Sequence, residues 1–465
     1  MAESSALPGA VRLNTTSHDR AVSPELSEFM ARDWAPTSLA PEADELLLPV
    51  AELASRRRER LSARFPGERL VVPAGELKVR SNDCDYRFRP HSAYAHLTGL
   101  TGEDQADHVL VLEPDGASGH EAVLHIRPRS PRLEGSDEFY RDRRYGEFWV
   151  GRRPDLTETE QLTGIRCVSL DAEGQLPPGR NAATDDELRA TLSELRLVKD
   201  AWEVAQLQLA VEHTTTGFED VVRALPTALA HPRGERWIEG VFNLRARAEG
   251  NGTGYDTIAA SGAHACVLHW IRNDAALDPT QLLLLDAGVE TDTLYTADIT
   301  RTLPLSGRFT PVQRQVYELV LAAQEAGIAA LRPGATFGDF HRAGMRVISA
   351  GLAEWGVLKS PEGDLHRRYT LCSSGHMLGL DVHDCAQARA ETYQDGTLAL
   401  GHVLTVEPGL YFQPDDETLP PELRGIGVRI EDDLVITAEG AELMSSGLPR
   451  TPDAIEDWMG VLLAG

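Results

Sequence analysis

The sequence predicts an α/β chain of the α+β kind, with an N-terminal mixed domain followed by a larger domain of repeated helix and strand groups. Three observations predict it. Short alternating apolar stretches ("RLVVPAG", "HVLVLEP", "AVLHIRP") separated by turn residues continue to about residue 185. From Asp200 onward, long helical patterns with caps alternate with short apolar runs. The chain has 465 residues and is 42% hydrophobic, enough to bury two cores.

Residues 1–45 are rich in Ser, Pro, Ala and Glu with little periodicity, and read as a partly ordered extension. Residues 46–190 form the N-terminal domain. It opens with a helix over "LLLPVAELASRRRERLSARF", where Leu53, Leu61 and Phe65 mark the inner side and the arginines an outer basic face. Residues 191–465 form the second domain. Asp200 and Glu203 are spaced as a capping box ahead of a long helix. Thr310 and Pro311 start another, with Val312, Val316, Leu319, Val320 and Ala323 on one stripe and a stop at Arg332-Pro333-Gly334. A further helix runs from Phe337 to about Trp355. A helix pair, a strand pair, then the same again points to an internal pseudo-two-fold duplication.

The formal net charge of −27 argues against nucleic acid and anionic membranes as partners, since like charges repel across the whole surface. Positive charge is nearly all arginine, with Lys78, Lys199 and Lys359 the three lysines. No apolar run approaches spanning length, the N-terminus has no apolar signal core, and the five cysteines lack paired spacing. These features read as a reduced, cytoplasmic protein.

The chemistry lies in acids set among apolar residues. Asp286 ends "LLLLDAG", Asp298 sits in "LYTADITRTLP", Glu407 in "VLTVEPGLYF" and Glu431 in "GIGVRIEDDLVIT". An acid on a buried strand face needs something to neutralise it. In the last stretch Val428 and Ile430 share one face while Arg429 and Glu431 share the other. In "SSGHMLGLDVHD", His376 and His383 lie seven residues apart, and Gly375 and Gly379 favour a strand-like loop over a helix. Seven residues of straight extended chain send the two rings to opposite sides. They are either ordinary half-buried histidines or one metal ligand and one substrate contact. Four carboxylates and a histidine are too many ligands for one catalytic ion with an open position. They suit two divalent ions that share carboxylates and activate water, with manganese, zinc, iron or cobalt as candidates.

In this order and context, Asp286 and Asp298 ahead of "TRT", His376 in "GHMLGLDVHD", Glu407 in "TVEPG" and Glu431 in "GVRIEDD" resemble the metallopeptidase family of aminopeptidase P, prolidase and methionine aminopeptidase. The resemblance covers roughly residues 190 to 445. It extends more weakly to "DYRFRPHSAYAHLTGL", which is similar to the aminopeptidase P type. It implies the pita-bread fold and a dinuclear centre, most often of Mn2+, with Zn2+, Co2+ or Fe2+ as the other choices. Asp286 would hold one ion, Asp298 and Glu431 would bridge both, and His376 and Glu407 would complete the other. Glu407 would also move the catalytic proton. His269 and His383 would touch substrate, Arg429 would fix a ligand carboxylate, and His264 reads as structural. The implied activity is a Xaa-Pro aminopeptidase, releasing the first residue of peptides with proline second, in a homodimer or homotetramer. Trp149 and Tyr86 are candidates to line the proline pocket.

Two departures stand out. The turn "GVETDTLY" between Asp286 and Asp298 is slightly longer than usual, which a hairpin loop absorbs. Four residues before His376, where the peptidases carry a substrate-binding histidine, this chain has Cys372. A thiol is shorter and carries no imidazolium charge. Cys372 takes that substrate-binding place, or is an extra ligand or a small core residue, and it keeps open a specialised or weakly active paralogue and a non-catalytic binding protein on the same fold. A prolidase acting on dipeptides has the same metal set, differs in how it caps the substrate's carboxylate, and also stays open.

Overall fold

The computed structural model describes residues 23–34, 48–116, 119–132, 136, 138–170, 178–371 and 373–464. They fall into two compact units, the described residues of Met1–Leu48 with Val123–Leu176, and those of Pro49–Ala122 with Pro177–Gly465. Most of the predicted extension, residues 1–45, lies outside the described residues, but Pro24–Ala31 is a helix whose first turn is capped by Ser23. In the same unit, Asp155 and Glu158 form a reciprocal capping box at the start of helix Leu156–Thr163.

The larger unit begins with helix Ala51–Ser62. Its basic side chains do not all face outward as the sequence predicts. Arg57 and Arg58 are buried, because Arg57 pairs with Asp200 and Glu203 while Arg58 donates to Leu97 O. Partners 39 to 146 residues away reverse the direction that local pattern gives. The three predicted strand stretches overlap strands Leu70–Pro73, Val109–Asp115 and Gly119–Ile126.

The predicted repeat is present. Helices Ala201–Ala230 and Gly234–Glu249 precede a three-stranded antiparallel sheet with Leu282–Ala287 between Ile258–Ser261 and Ile299–Pro304. Helices Pro311–Ala330 and Gly338–Glu354 precede a second, with Asp432–Thr437 between Val403–Val406 and Gly440–Leu443. Both predicted helix starts carry full capping boxes, Asp200 with Glu203 and Thr310 with Gln313. Phe218, Phe242, Val316, Val320 and Ile348 belong to one buried core behind these sheets. The polar ends of the strands are left to form the site.

Candidate active site

Register and strand ends bring the acids together. Asp286 lies opposite Thr300, so Asp298 sits just before the paired stretch of the hairpin. Val406 pairs with Asp432, which places Glu407 and Glu431 just beyond the pairing, on adjacent chains. Asp286 lies within its strand, whereas Asp298, Glu407 and Glu431 stand at strand ends. His376 comes from a loop tied to the second sheet by a bridge between Met377 and Leu404.

These five residues line a cavity of about 530 Å³ together with His269, His383 and Arg429. Donor atoms of Asp298, His376 and Glu431 all lie within 4.8 Å of one another. His376 Nε2 is 3.2 Å from Asp298 Oδ2 and 3.6 Å from Glu407 Oε1. Its Nδ1 donates to Met377 O at 3.2 Å, which turns Nε2 toward the acids. Tyr255 OH touches Asp286 Oδ1 at 2.6 Å and Asp298 Oδ1 at 2.5 Å. Arg429 donates to Asp286 Oδ2 at 2.5 Å, Thr300 Oγ1 at 3.1 Å and Tyr411 OH at 3.0 Å.

The electrostatics are those of a cation site. Burial, then the neighbouring acids, raises Glu431 well above the usual carboxylate range. Burial also lifts Glu407 to about 7, against the opposing charges of His376 and Arg429. Burial opposes charge on His376, but its contacts with Asp298 and Glu407 outweigh this and push it up to about 9. Glu431 accepts from Thr300 at Oε2, while its buried Oε1 has no partner. An orphaned carboxylate oxygen, three further acids and an imidazole nitrogen pointing at them fit divalent cations, which would neutralise the cluster and satisfy that oxygen.

One expectation is overturned. His376 and His383 do not project to opposite sides, since their rings meet edge to face with centroids 4.4 Å apart. The segment folds back, with Gly379 N bonded to Asp381 O and Asp384 N to Met377 O. The bend is held by Asp384, buried between Lys199 Nζ at 2.9 Å and Arg196 Nε at 3.0 Å. Of the proposed proline-pocket residues, Tyr86 is exposed and does not line the cavity. Trp149 belongs to the smaller unit, where its indole N–H donates to Tyr140 O. Cys372 lies outside the described residues.

Metallopeptidase family M24 matches residues 205–438, and the aminopeptidase P N-terminal domain matches 54–174. The chain belongs to metallopeptidase family M24. It is 52% identical to Xaa-Pro aminopeptidase 1 of Streptomyces coelicolor over 470 aligned positions, covering 95% of this chain and 93% of that protein. It is 31% identical to the Xaa-Pro aminopeptidase of Escherichia coli, over 88% of this chain and 97% of that one. Among solved structures, Pseudomonas aeruginosa aminopeptidase PepP aligns with a TM-score of 0.76 at 30% identity, covering 90% of this chain and 100% of that chain. Zinc-substituted E. coli aminopeptidase P in complex with product aligns at 0.75 and 29% identity, covering 89% of this chain and 98% of that chain. The α+β architecture is thus the pita-bread fold of the aminopeptidase P branch, preceded by that branch's N-terminal domain, and the protein is a divalent-metal hydrolase.

Some functional residues of this M24 member escaped the sequence reading. Tyr255 opens the very stretch that carries His269, yet nothing in "YDTIAAS" reveals that its hydroxyl reaches two acids 31 and 43 residues on. Arg89 lies in the aminopeptidase P-like "RFRPHS" and binds Glu290 Oε2 at 2.6 Å and also Leu380 O. Ser92 Oγ donates to Asp381 Oδ1 at 2.5 Å. The N-terminal motif thus grips the loop that bears His383.

Proposed function

We propose that the protein is a Xaa-Pro aminopeptidase that releases the first residue of peptides with proline in second position. The observation that carries this reading is the convergence of Asp286, Asp298, His376, Glu407 and Glu431 on one cavity, in a chain aligned over 95% of its length with a Xaa-Pro aminopeptidase. Asp286 would hold one ion, Asp298 and Glu431 both, and His376 and Glu407 the other, with Mn2+ the favoured metal. When bound, such ions supply the Lewis acidity that activates water and polarises the scissile carbonyl.

The chain's own residues do the rest. Tyr255 and Arg429 fix the oxygens of Asp286 and Asp298 in place. His269 and His383 line the cavity, where they would meet the substrate carbonyl and the proline residue. Burial holds His383 below its usual range, so it serves as a neutral hydrogen-bonding contact. Glu407 carries the proton, taking it on its carboxylate from the attacking water and returning it to the proline nitrogen as the C–N bond breaks.

Residues 46–190 would serve substrate access and assembly into a homodimer or homotetramer. Among the described residues no helix is long and apolar enough to cross a membrane.

The test is release of the N-terminal residue from Xaa-Pro-Xaa peptides and Xaa-Pro dipeptides by metal-stripped protein, with and without Mn2+, beside the Cys372→His variant. Mn2+-dependent cleavage of the longer peptides is expected. Cleavage of dipeptides alone would make the protein a prolidase. Binding of two ions with cutting only in Cys372→His would mean that the fold serves another substrate.

A further inference from the structure

His269 is placed by something other than its own contacts. Its ring is exposed to the cavity and makes no hydrogen bond among the described residues, so the backbone of its loop decides where it stands. That loop leaves strand Ile258–Ser261 and returns at Ala275 beside helix Gly234–Glu249. It supplies one wall of the cavity through Leu268, His269 and Ile271.

A single buried carboxylate gathers the loop from end to end. Glu235, in the first turn of helix Gly234–Glu249, is 0% exposed. Its Oε1 accepts from Ser261 N and from His264 Nδ1, both at 2.9 Å. Its Oε2 accepts from Trp270 Nε1 and from Ala275 N, both at 3.0 Å. Its own backbone N–H donates to Ala275 O at 3.1 Å. The four donors come from the loop's start, its middle and its end, and Trp270 is the immediate neighbour of His269. The indole is fixed further, stacked on His264 at 3.7 Å with Arg272 over it at 4.3 Å.

We propose that Glu235 is a positioning residue that sets His269 against the substrate, so that one buried acid outside the cavity governs where that histidine stands. The inference rests on the reading of His269 as a substrate-side histidine. The carboxylate is the one side chain of this size with four acceptor sites in a plane, matched to four donors. Glutamine keeps the shape but turns an NH2 toward two N–H donors, which forces the loop to shift.

The test is a double-mutant cycle on the metal-loaded enzyme with Glu235→Gln, His269→Ala and both together, reading kcat, KM and bound metal. Glu235→Gln is expected to lower kcat roughly 10- to 100-fold, the range for a group misplaced by up to about 1 Å, with KM little changed and the metal content intact. In the His269→Ala background the same change should cost no more than about 2-fold, because the residue it positions is gone. Trp270→Phe, which removes one donor and keeps an aromatic ring in its place, should give a smaller loss with the same non-additivity, and it decides the matter if Glu235→Gln does not fold. Full multiplication of the two losses, or loss of metal in Glu235→Gln, overturns the inference while leaving the reading of His269 standing. An unaffected His269→Ala enzyme overturns that reading and the inference with it.

Discussion

Replacing Lys199 with Met tests the buried triad that shapes the His383 loop. Lys199 is fully buried, with Nζ 2.9 Å from Asp384 Oδ2, and Arg196 Nε lies 3.0 Å from Oδ1. At an effective dielectric of about 20, unit charges 2.9 Å apart attract by about 6 kcal/mol. The desolvation of both ions offsets part of this, and removing one partner of a buried pair costs about 3–5 kcal/mol. Arg196 still faces Asp384 in Lys199→Met, so the loss should fall at the low end, about 3 kcal/mol. Asp384→Asn leaves Lys199 without its carboxylate and Arg196 with only Asp381, 3.4 Å away, and should reach about 5 kcal/mol by the same reasoning. Guanidinium unfolding followed by tryptophan fluorescence measures both. Losses below about 1 kcal/mol in both variants would refute the triad as the element that holds the bend.

The same group gives a pH test. Burial alone would raise Asp384, but Lys199 and Arg196 outweigh it and hold it at about 2, against an ordinary 3.8. A carboxyl depressed in the folded state contributes stability in full above its unfolded value, and that contribution is lost as pH falls through the folded one. The acid limb of the wild-type stability curve should therefore steepen between about pH 4 and 2, and Asp384→Asn should flatten it there.

Other outcomes follow from the site. Tyr255→Phe removes the hydroxyl shared by Asp286 and Asp298 and should weaken metal binding roughly 10- to 100-fold, read by competition with a chelating dye, with far-UV dichroism unchanged. Gly375→Ala drives a Cβ onto the Thr405 carbonyl and within 3.0 Å of the Phe340 ring. It should push His376 off the second sheet, costing about 1–3 kcal/mol and the ion that His376 would hold, read by metal content and thermal melting. Stripping the metal should destabilise the fold, since three buried acids and the half-buried Glu407 lose their counter-charge. Mn2+ at 100 times its dissociation constant should restore about 2.7 kcal/mol, read as a rise in Tm.

The candidate site was legible where its signal is local. An acid in "LLLLDAG" or "TVEPG" stands out because its apolar neighbours leave it no water, and that contrast survives without any coordinates. The helix starts at Asp200 and Thr310 were legible for the same reason, their capping boxes being complete within four residues. Long-range partners were not legible. The bend that brings His383 to His376 depends on Lys199 and Arg196, about 185 residues upstream, and a straight extended reading of seven residues has no means to include them. Arg57 reads as surface charge until Glu203 is known to lie 3.3 Å away. Glu235 is one acid among many in the sequence, and only its four donors distinguish it.

The grip of Arg89 and Ser92 on the His383 loop bears on how such a protein can be taken apart or recombined. Arg89 answers Glu290, and Ser92 answers Asp381, so two acids beside the catalytic half depend on side chains encoded some 200 to 290 residues earlier. A chain begun near residue 190 would still encode every candidate metal ligand. It would leave Glu290 with Asn251 alone and Asp381 with Arg196 alone, without the arginine and the hydroxyl that tie both to the front half, at the edge of the loop that must present His383. A chimaera given the front half of a distant relative would inherit the same defect unless that half supplied its own arginine and hydroxyl at matching places. The two halves are therefore exchangeable as a matched set, and the seam between them is a poor place to cut.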